Sequence, residues 1–355
     1  MKKLILSFAA LALIVVACQN NNDEAIPNQE AAVDMSDFYV YTSSDVSDVS
    51  AKSSADAKND KCASMKVLNQ QLRDNPGLEN RMFQIEKHTR TLIAAKGAAN
   101  KGKPGGGTTP PPPTPYVGKV TIPVIINILE DAAHPVTPDH ITSQIAILND
   151  DFNNSNPNTS SVPAEFADLV ANNNITFVLA GVNRKASTKS AWGTNDSMKS
   201  ASQGGINATD ASTYLNIWVC EIGGGILGYA QFPGGSLATD GVVIGSDFFG
   251  ENAAGTVYGH GRTATHEIGH WLNLRHIWGD GRCRQDDFVD DTPGSDGPNY
   301  GCPSYPTVNC QSNDMTMNYM DYVYDDCMYM FSNGQDDRMR AIFASGGSRE
   351  SFVLP

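Results

Sequence analysis

His266-Glu267-Ile268-Gly269-His270-Trp271-Leu272-Asn273-Leu274-Arg275-His276 is the stretch from which the rest of the chain can be read. His266 and His270 stand four residues apart, so a helix places both imidazoles on one face, one turn apart, at the reach of a single metal ion. His276 lies six residues beyond His270, where a continuing helix would aim it elsewhere. The helix must therefore end near Asn273, at a residue that accepts positive φ, and Asn is the best choice after Gly. Three neutral imidazoles leave a fourth position open to water, which marks a catalytic rather than a structural zinc, and Glu267 is the adjacent carboxylate able to take that water's proton. A chance string on an ordinary core helix is the competing reading, and the third histidine argues against it. His88, His134, His140 and His260 have no partner at ligand spacing and read as surface or satisfied core positions.

Upstream of this helix, the run VTIPVIINIL (120–129) reads as a strand, and Thr137-Pro138-Asp139 starts a helix with Ile141, Ile145 and Leu148 on one face. Further strands are expected at ITFVLA (175–180), YLNIWVCEI (214–222) and GVVIGS (241–246). Strands alternating with one or two helices predict an α/β layered lobe. Beyond Gly279 the chain is loop-rich and cysteine-bearing until a last helix from about Gly334 to Ala344.

Nearer the N-terminus, Lys2 and Lys3 precede an apolar run from Leu4 to Ala17, too short for a typical spanning helix, so residues 1–18 read as an export signal. Val15-Val16-Ala17-Cys18 resembles a bacterial lipobox, which implies lipidation of Cys18 and a membrane tether; an ordinary signal peptide is the alternative. Residues 19–115 divide into a polar tether to about Asp60, two short helices across Lys61–Lys96 broken at Asn75-Pro76-Gly77, and a Gly-rich then Pro-rich linker. Residues 116–355 form the main folded domain. A net charge of -14 over 355 residues argues against a nucleic-acid partner, since phosphate binding needs clustered Lys and Arg.

HEIGHWLNLRH resembles the extended zinc motif of the metzincin peptidases, and GRTATHEIGHW (261–271) with NYMDYVYDDC (318–327) is similar to the pappalysin family within that clan. The resemblance spans most of residues 116–345. It implies a zinc endopeptidase acting on proteins or peptides, with a two-lobed catalytic domain: a twisted mixed sheet and active-site helix above, a loop-rich disulfide-bonded lobe below. It further implies a methionine turn at Met320 beneath the metal, and Tyr322 placed to hydrogen-bond an oxyanion. The family's glycine between the second and third histidines is Asn273 here, which still meets the φ requirement.

Seven cysteines in an exported chain favour disulfides, and Cys283, Cys302, Cys310 and Cys327 cluster in the lower part; four cysteines permit three pairings. The resemblance favours Cys283 with Cys310 and Cys302 with Cys327. Cys220 lies in an apolar strand and reads as buried. The resemblance also implies that Cys62 occupies the open metal position and keeps the enzyme latent until the linker is cut, with a free surface thiol as the alternative. DDFVDDTP (286–293) resembles a family calcium loop with Asp287, Asp291 and Thr292 as ligands; a solvated acidic loop is the alternative.

GGGILGYA (223–230) could offer a sheet edge that accepts substrate as an added antiparallel strand, or could be a plain hairpin. The family resemblance implies that the pocket for the residue after the cut is built partly from the segment after the methionine turn, where this sequence carries Asp325 and Asp326, with Asp326 the anion expected to select Lys or Arg. Two readings compete with the peptidase: a surface lipoprotein binding module with a structural zinc, which would need a fourth protein ligand, and a zinc hydrolase of non-peptide amides.

Overall fold

VTIPVIINILE forms the long interior strand β1 (Val120–Glu130), which has a paired strand along each edge and whose Val and Ile residues are buried on both faces of the sheet. The structure, a computed structural model, describes residues 33–41, 61–100, 114–251 and 256–354. The expected signal, Cys18, most of the tether and residues 101–113 of the linker lie outside these ranges. Among the described residues no helix is long and apolar enough to cross a membrane.

β1 pairs in parallel with β2 (Ile175–Ala186) and with β3 (Leu215–Cys220), β3 pairs in parallel with β5 (Val242–Gly245), and β4 (Gly228–Ala230) closes the edge antiparallel to β5. The sheet order is β2-β1-β3-β5-β4. Pro123 has no N–H to give to the ladder, and one residue beyond it, between Val124 and Ile125, the pairing with β2 slips by one residue.

Helix α3 (Pro138–Phe152) starts where expected: the Thr137 side chain accepts from His140 N while the His140 ring accepts from Thr137 N, a reciprocal cap. Its buried face, with Ile141, Leu148 and Phe152, packs on β2 and on helix α4 (Arg262–Trp271). All ten residues of α4 are buried, because the helix runs between the sheet and the loop-rich part that follows. Beyond it the chain has only two-residue strand pairs, held by disulfides Cys283–Cys310 and Cys302–Cys327. The last helix, α5 (Asn333–Ala341), stops short of Ala344 because Phe343 and Ala344 close tighter turns onto Arg340 and Ala341, after which Gly346 takes positive φ.

Ahead of the linker, α1 (Ser64–Asp74) and α2 (Leu78–Asn100) are separated at Asn75-Pro76-Gly77. At 23 residues α2 is longer than the expected short helix, and it packs on α5, while α1 packs on β4. Val33–Tyr41 falls inside the stretch expected to be a solvated tether, yet it docks on the lower part. Phe38 and Tyr39 pack on Phe288, Arg275 donates to the Tyr39 carbonyl, and the Tyr39 hydroxyl donates to Asp286 O at 2.9 Å. Three consecutive apolar residues, Phe38-Tyr39-Val40, account for the difference.

Candidate metal and active site

α4 presents His266 and His270 on its inner face and ends at Trp271; Asn273 takes φ +77° and the chain reverses, with Leu274 N donating to Gly269 O at 2.9 Å. The reversal brings His276 back under the helix. Each imidazole is then fixed through Nδ1. His266 Nδ1 meets Tyr319 O at 2.7 Å, His270 Nδ1 meets Leu274 O at 2.8 Å, and His276 Nδ1 meets the Asp280 carboxylate.

A carbonyl can only accept, so Nδ1 of His266 and of His270 carries the proton and each Nε2 is left with a lone pair. Burial drives His266 down to about 3 and, with its histidine neighbours, holds His270 well below the ordinary value, so neither ring takes a second proton. Nε2 of His270 and His276 lie 3.2 Å apart, and the buried Nε2 of His266 has no hydrogen-bond partner. Lone pairs facing one another in a dry site repel unless a cation lies between them. The donor set fits a zinc ion, which would lie among the three Nε2 atoms.

Three further contacts enclose the histidines. A Cβ added at Gly269 would lie 2.4 Å from Met320 Sδ, so the absence of a side chain there lets the methionine pack directly beneath the helix. Tyr322 stands beside the ligands, its ring centroid 4.9 Å from that of His276 and 5.7 Å from that of His266. Trp278 stacks on His276 at 4.4 Å with an interplanar angle of 3°.

Glu267 is fully buried next to this cluster, and burial pushes it up to about 8 against the opposing hydrogen bonds from Ser64 and Cys62. Ser64 Oγ donates to Glu267 Oε2 at 2.7 Å and accepts from Ala230 N at 2.7 Å. Cys62 Sγ lies 3.4 Å from Glu267 Oε2 and 3.6 Å from His270 Nε2, and the ligand atoms of Cys62, His266, His270 and His276 all fall within 4.8 Å of one another. Burial and the neighbouring carboxylate push the Cys62 thiol up, so a cation among the histidines is what would favour its thiolate. The Cys62 segment runs parallel to β4: Leu227 N donates to Lys61 O and Ala63 N to Gly228 O.

Beside Glu267 opens a pocket lined by Leu227, Arg262, Thr263, Tyr322, Asp325 and Met328 among others. Asp325, 1% exposed, lines it and accepts from the backbone N–H groups of His260 and Arg262. Asp326, the residue expected there, instead has a side chain 76% exposed, 3.5 Å from His260, because the tight turn at 325–327 points the two neighbours in opposite directions. In the loop expected to bind calcium, both Asp287 oxygens accept from Thr292 Oγ1, while Asp291 accepts from Ser332 Oγ and Gly334 N at the start of α5. Asp287 thus meets Thr292 while Asp291 turns to α5, and the calcium reading gains no support. Ser64 and Asp280 are the neighbours that spacing alone did not single out.

A sequence model of the family described as "Pregnancy-associated plasma protein-A" (Peptidase_M43) matches residues 202–344. An extracellular metalloprotease of Arthroderma benhamiae is 34% identical over 248 residues, covering 65% of this chain and 76% of that protein. Among solved structures, mature mirolysin of Tannerella forsythia in complex with a cleaved peptide is 41% identical at a TM-score of 0.65, covering 67% of this chain and 97% of that one. A point mutant of promirolysin from the same organism is 36% identical at a TM-score of 0.70, covering 82% of this chain and 96% of that one.

Proposed function

Taking as premise that the chain belongs to the pappalysin family of zinc metalloendopeptidases, we propose that it is exported as a latent precursor in which Cys62 blocks the metal, and that after cleavage of the linker it cuts peptide bonds using Glu267 as general base. The observation that carries this is the convergence of three Nε2 atoms whose rings are all anchored through Nδ1, with a carboxylate beside them.

His266, His270 and His276 would hold the ion, which supplies Lewis-acid polarisation of water and of the scissile carbonyl. Glu267 accepts the proton of the attacking water as its oxygen bonds to the carbonyl carbon, then delivers that proton to the amine nitrogen as the C–N bond breaks. The Tyr322 hydroxyl is a donor for the oxyanion. Substrate pairs with β4, whose edge the Cys62 segment covers in the precursor; release of that segment frees Gly228 O and Ala230 N, with Ala230 N held by Ser64 until then.

Latency is supported by the chemistry of the fourth position. Cys62 is carried ahead of the Gly- and Pro-rich linker, so one cut there separates it from the histidines. A structural zinc would need its fourth ligand to stay, which disfavours the binding-module reading. The promirolysin structure covers more of this chain than the mature form does, 82% against 67%, in keeping with a prosegment here. Export fits the name of the extracellular metalloprotease of Arthroderma benhamiae, and the lipid anchor at Cys18 rests on the lipobox resemblance alone.

Asp325 rather than Asp326 is placed to select a basic side chain after the cut. Burial lifts it to about 6, so it remains a carboxylate at neutral pH. A peptide library digested by the linker-cleaved protein should be cut before Lys or Arg, and the intact chain should be inactive. Asp325→Asn should erase the basic preference. Equal activity of the intact chain would sink the latency reading, and unchanged cut sites in Asp325→Asn would sink the pocket assignment.

A further inference from the structure

β1, β3 and β5 are adjacent and parallel, so their carboxyl ends emerge side by side on one rim of the sheet, the place where open α/β sheets gather ligand-binding loops. Each end delivers one metal-ligating side chain: His134 from the turn after β1, Glu221 directly after β3, and Asp247 two residues after β5. His134 Nδ1 lies 3.0 Å from both Asp247 oxygens and 3.9 Å from Glu221 Oε2, and one ligand atom from each residue lies within 4.8 Å of the others. Two ligands each about 2.1 Å from one ion are about 3.0 Å apart at an octahedral angle and about 3.4 Å apart at a tetrahedral one. The spacing already approaches that of a coordination shell.

The backbone holds these groups in place. Trp192 N donates to Glu221 O and Gly223 N returns to Trp192 O, both at 2.9 Å, while the Asp131 side chain accepts from Ala133 N at 3.0 Å in the turn that carries His134. The three side chains are between 28% and 39% exposed, which leaves room for water to complete a shell. Charge points the same way. Asp131, three residues before His134 in the same turn, adds a third carboxylate beside Glu221 and Asp247. Three carboxylates around one imidazole form a strongly negative corner that a dication would neutralise.

We propose that His134, Glu221 and Asp247 form a second divalent-metal site, separate from the peptidase centre, that takes a transition metal such as zinc. One imidazole and two carboxylates suit an ion of that class, with water in the remaining positions. No residue of the group belongs to the histidine cluster on α4, and the bound ion would clip together the ends of three strands.

The test is metal counting on the full chain, equilibrated with zinc and freed of excess, alongside Glu221→Gln and His134→Ala. Wild type should hold two equivalents and each variant one, with affinity for the second at least about tenfold weaker. Cobalt substitution identifies which is lost: the sulfur-to-cobalt charge-transfer band of the site that groups Cys62 with the three histidines should survive in both variants. A His266→Ala/His270→Ala background separates this proposal from the peptidase reading, because there one equivalent should remain and depend on Glu221. Absence of any Glu221-dependent metal in wild type and in that background overturns the proposal, as does retention of both equivalents in the two rim variants.

Discussion

Glu86→Gln should loosen helix α2 from the catalytic part, and the effect should fade in acid. The Glu86 side chain, 4% exposed, accepts from Arg338 at 2.7 and 3.1 Å and from Arg90 at 2.7 Å; Arg90 also bonds Asp37, and Arg338 also reaches Phe288 O at 3.2 Å. Burial alone would raise this carboxyl, but the two guanidinium groups outweigh burial and hold it at about 2 against an ordinary 4.5. That difference corresponds to about 3 kcal/mol at neutral pH. Because the folded value lies below the unfolded one, the stabilisation is complete above pH 4.5 and is lost as pH falls toward 2. By pH 3 about 2 kcal/mol of it is gone. Urea unfolding of wild type and Glu86→Gln at both pH values gives the readout. The two proteins should differ by about 3 kcal/mol at pH 7 and by roughly 1 kcal/mol at pH 3. An equal difference at both pH values would refute the assignment of the stabilisation to this ion pair.

Two further substitutions probe the metal floor. Gly269→Ala drives a methyl group to 2.4 Å from Met320 Sδ, in a place with no slack, and should cost about 1–3 kcal/mol of stability together with a loss of zinc affinity; a thermal melt matching wild type would contradict that packing. Asp280→Asn removes the anion behind His276 Nδ1 and should weaken zinc binding by about 10–100-fold in a chelator competition, whereas unchanged affinity would assign Asp280 a purely structural part.

Much of the site is written in local spacing. The four-residue interval between His266 and His270 becomes one helical face, and the need for a turn before His276 is met at Asn273 by a left-handed backbone. The parallel order of the strands follows from apolar runs too far apart in sequence for hairpins, and the short β4 takes the edge. What spacing could not reveal is what the fold brings together from afar. Ser64 reaches Glu267 across 203 positions, and Arg338 reaches Glu86 across 252. His134 has no ligand partner near it in sequence and acquires two only because three strands end together. Asp325 and Asp326 are chemically identical neighbours, and only the direction of one tight turn decides which of them lines the pocket.

The central claim, that Glu267 performs acid–base chemistry at a metal held by three histidines, is tested most directly by Glu267→Ala in the linker-cleaved protein. Zinc per chain and the rate of peptide cleavage are measured beside wild type. Zinc content should match wild type while cleavage falls by about a thousandfold or more. Retained cleavage would contradict the role of Glu267, and loss of zinc would show that its carboxylate holds the metal rather than the proton.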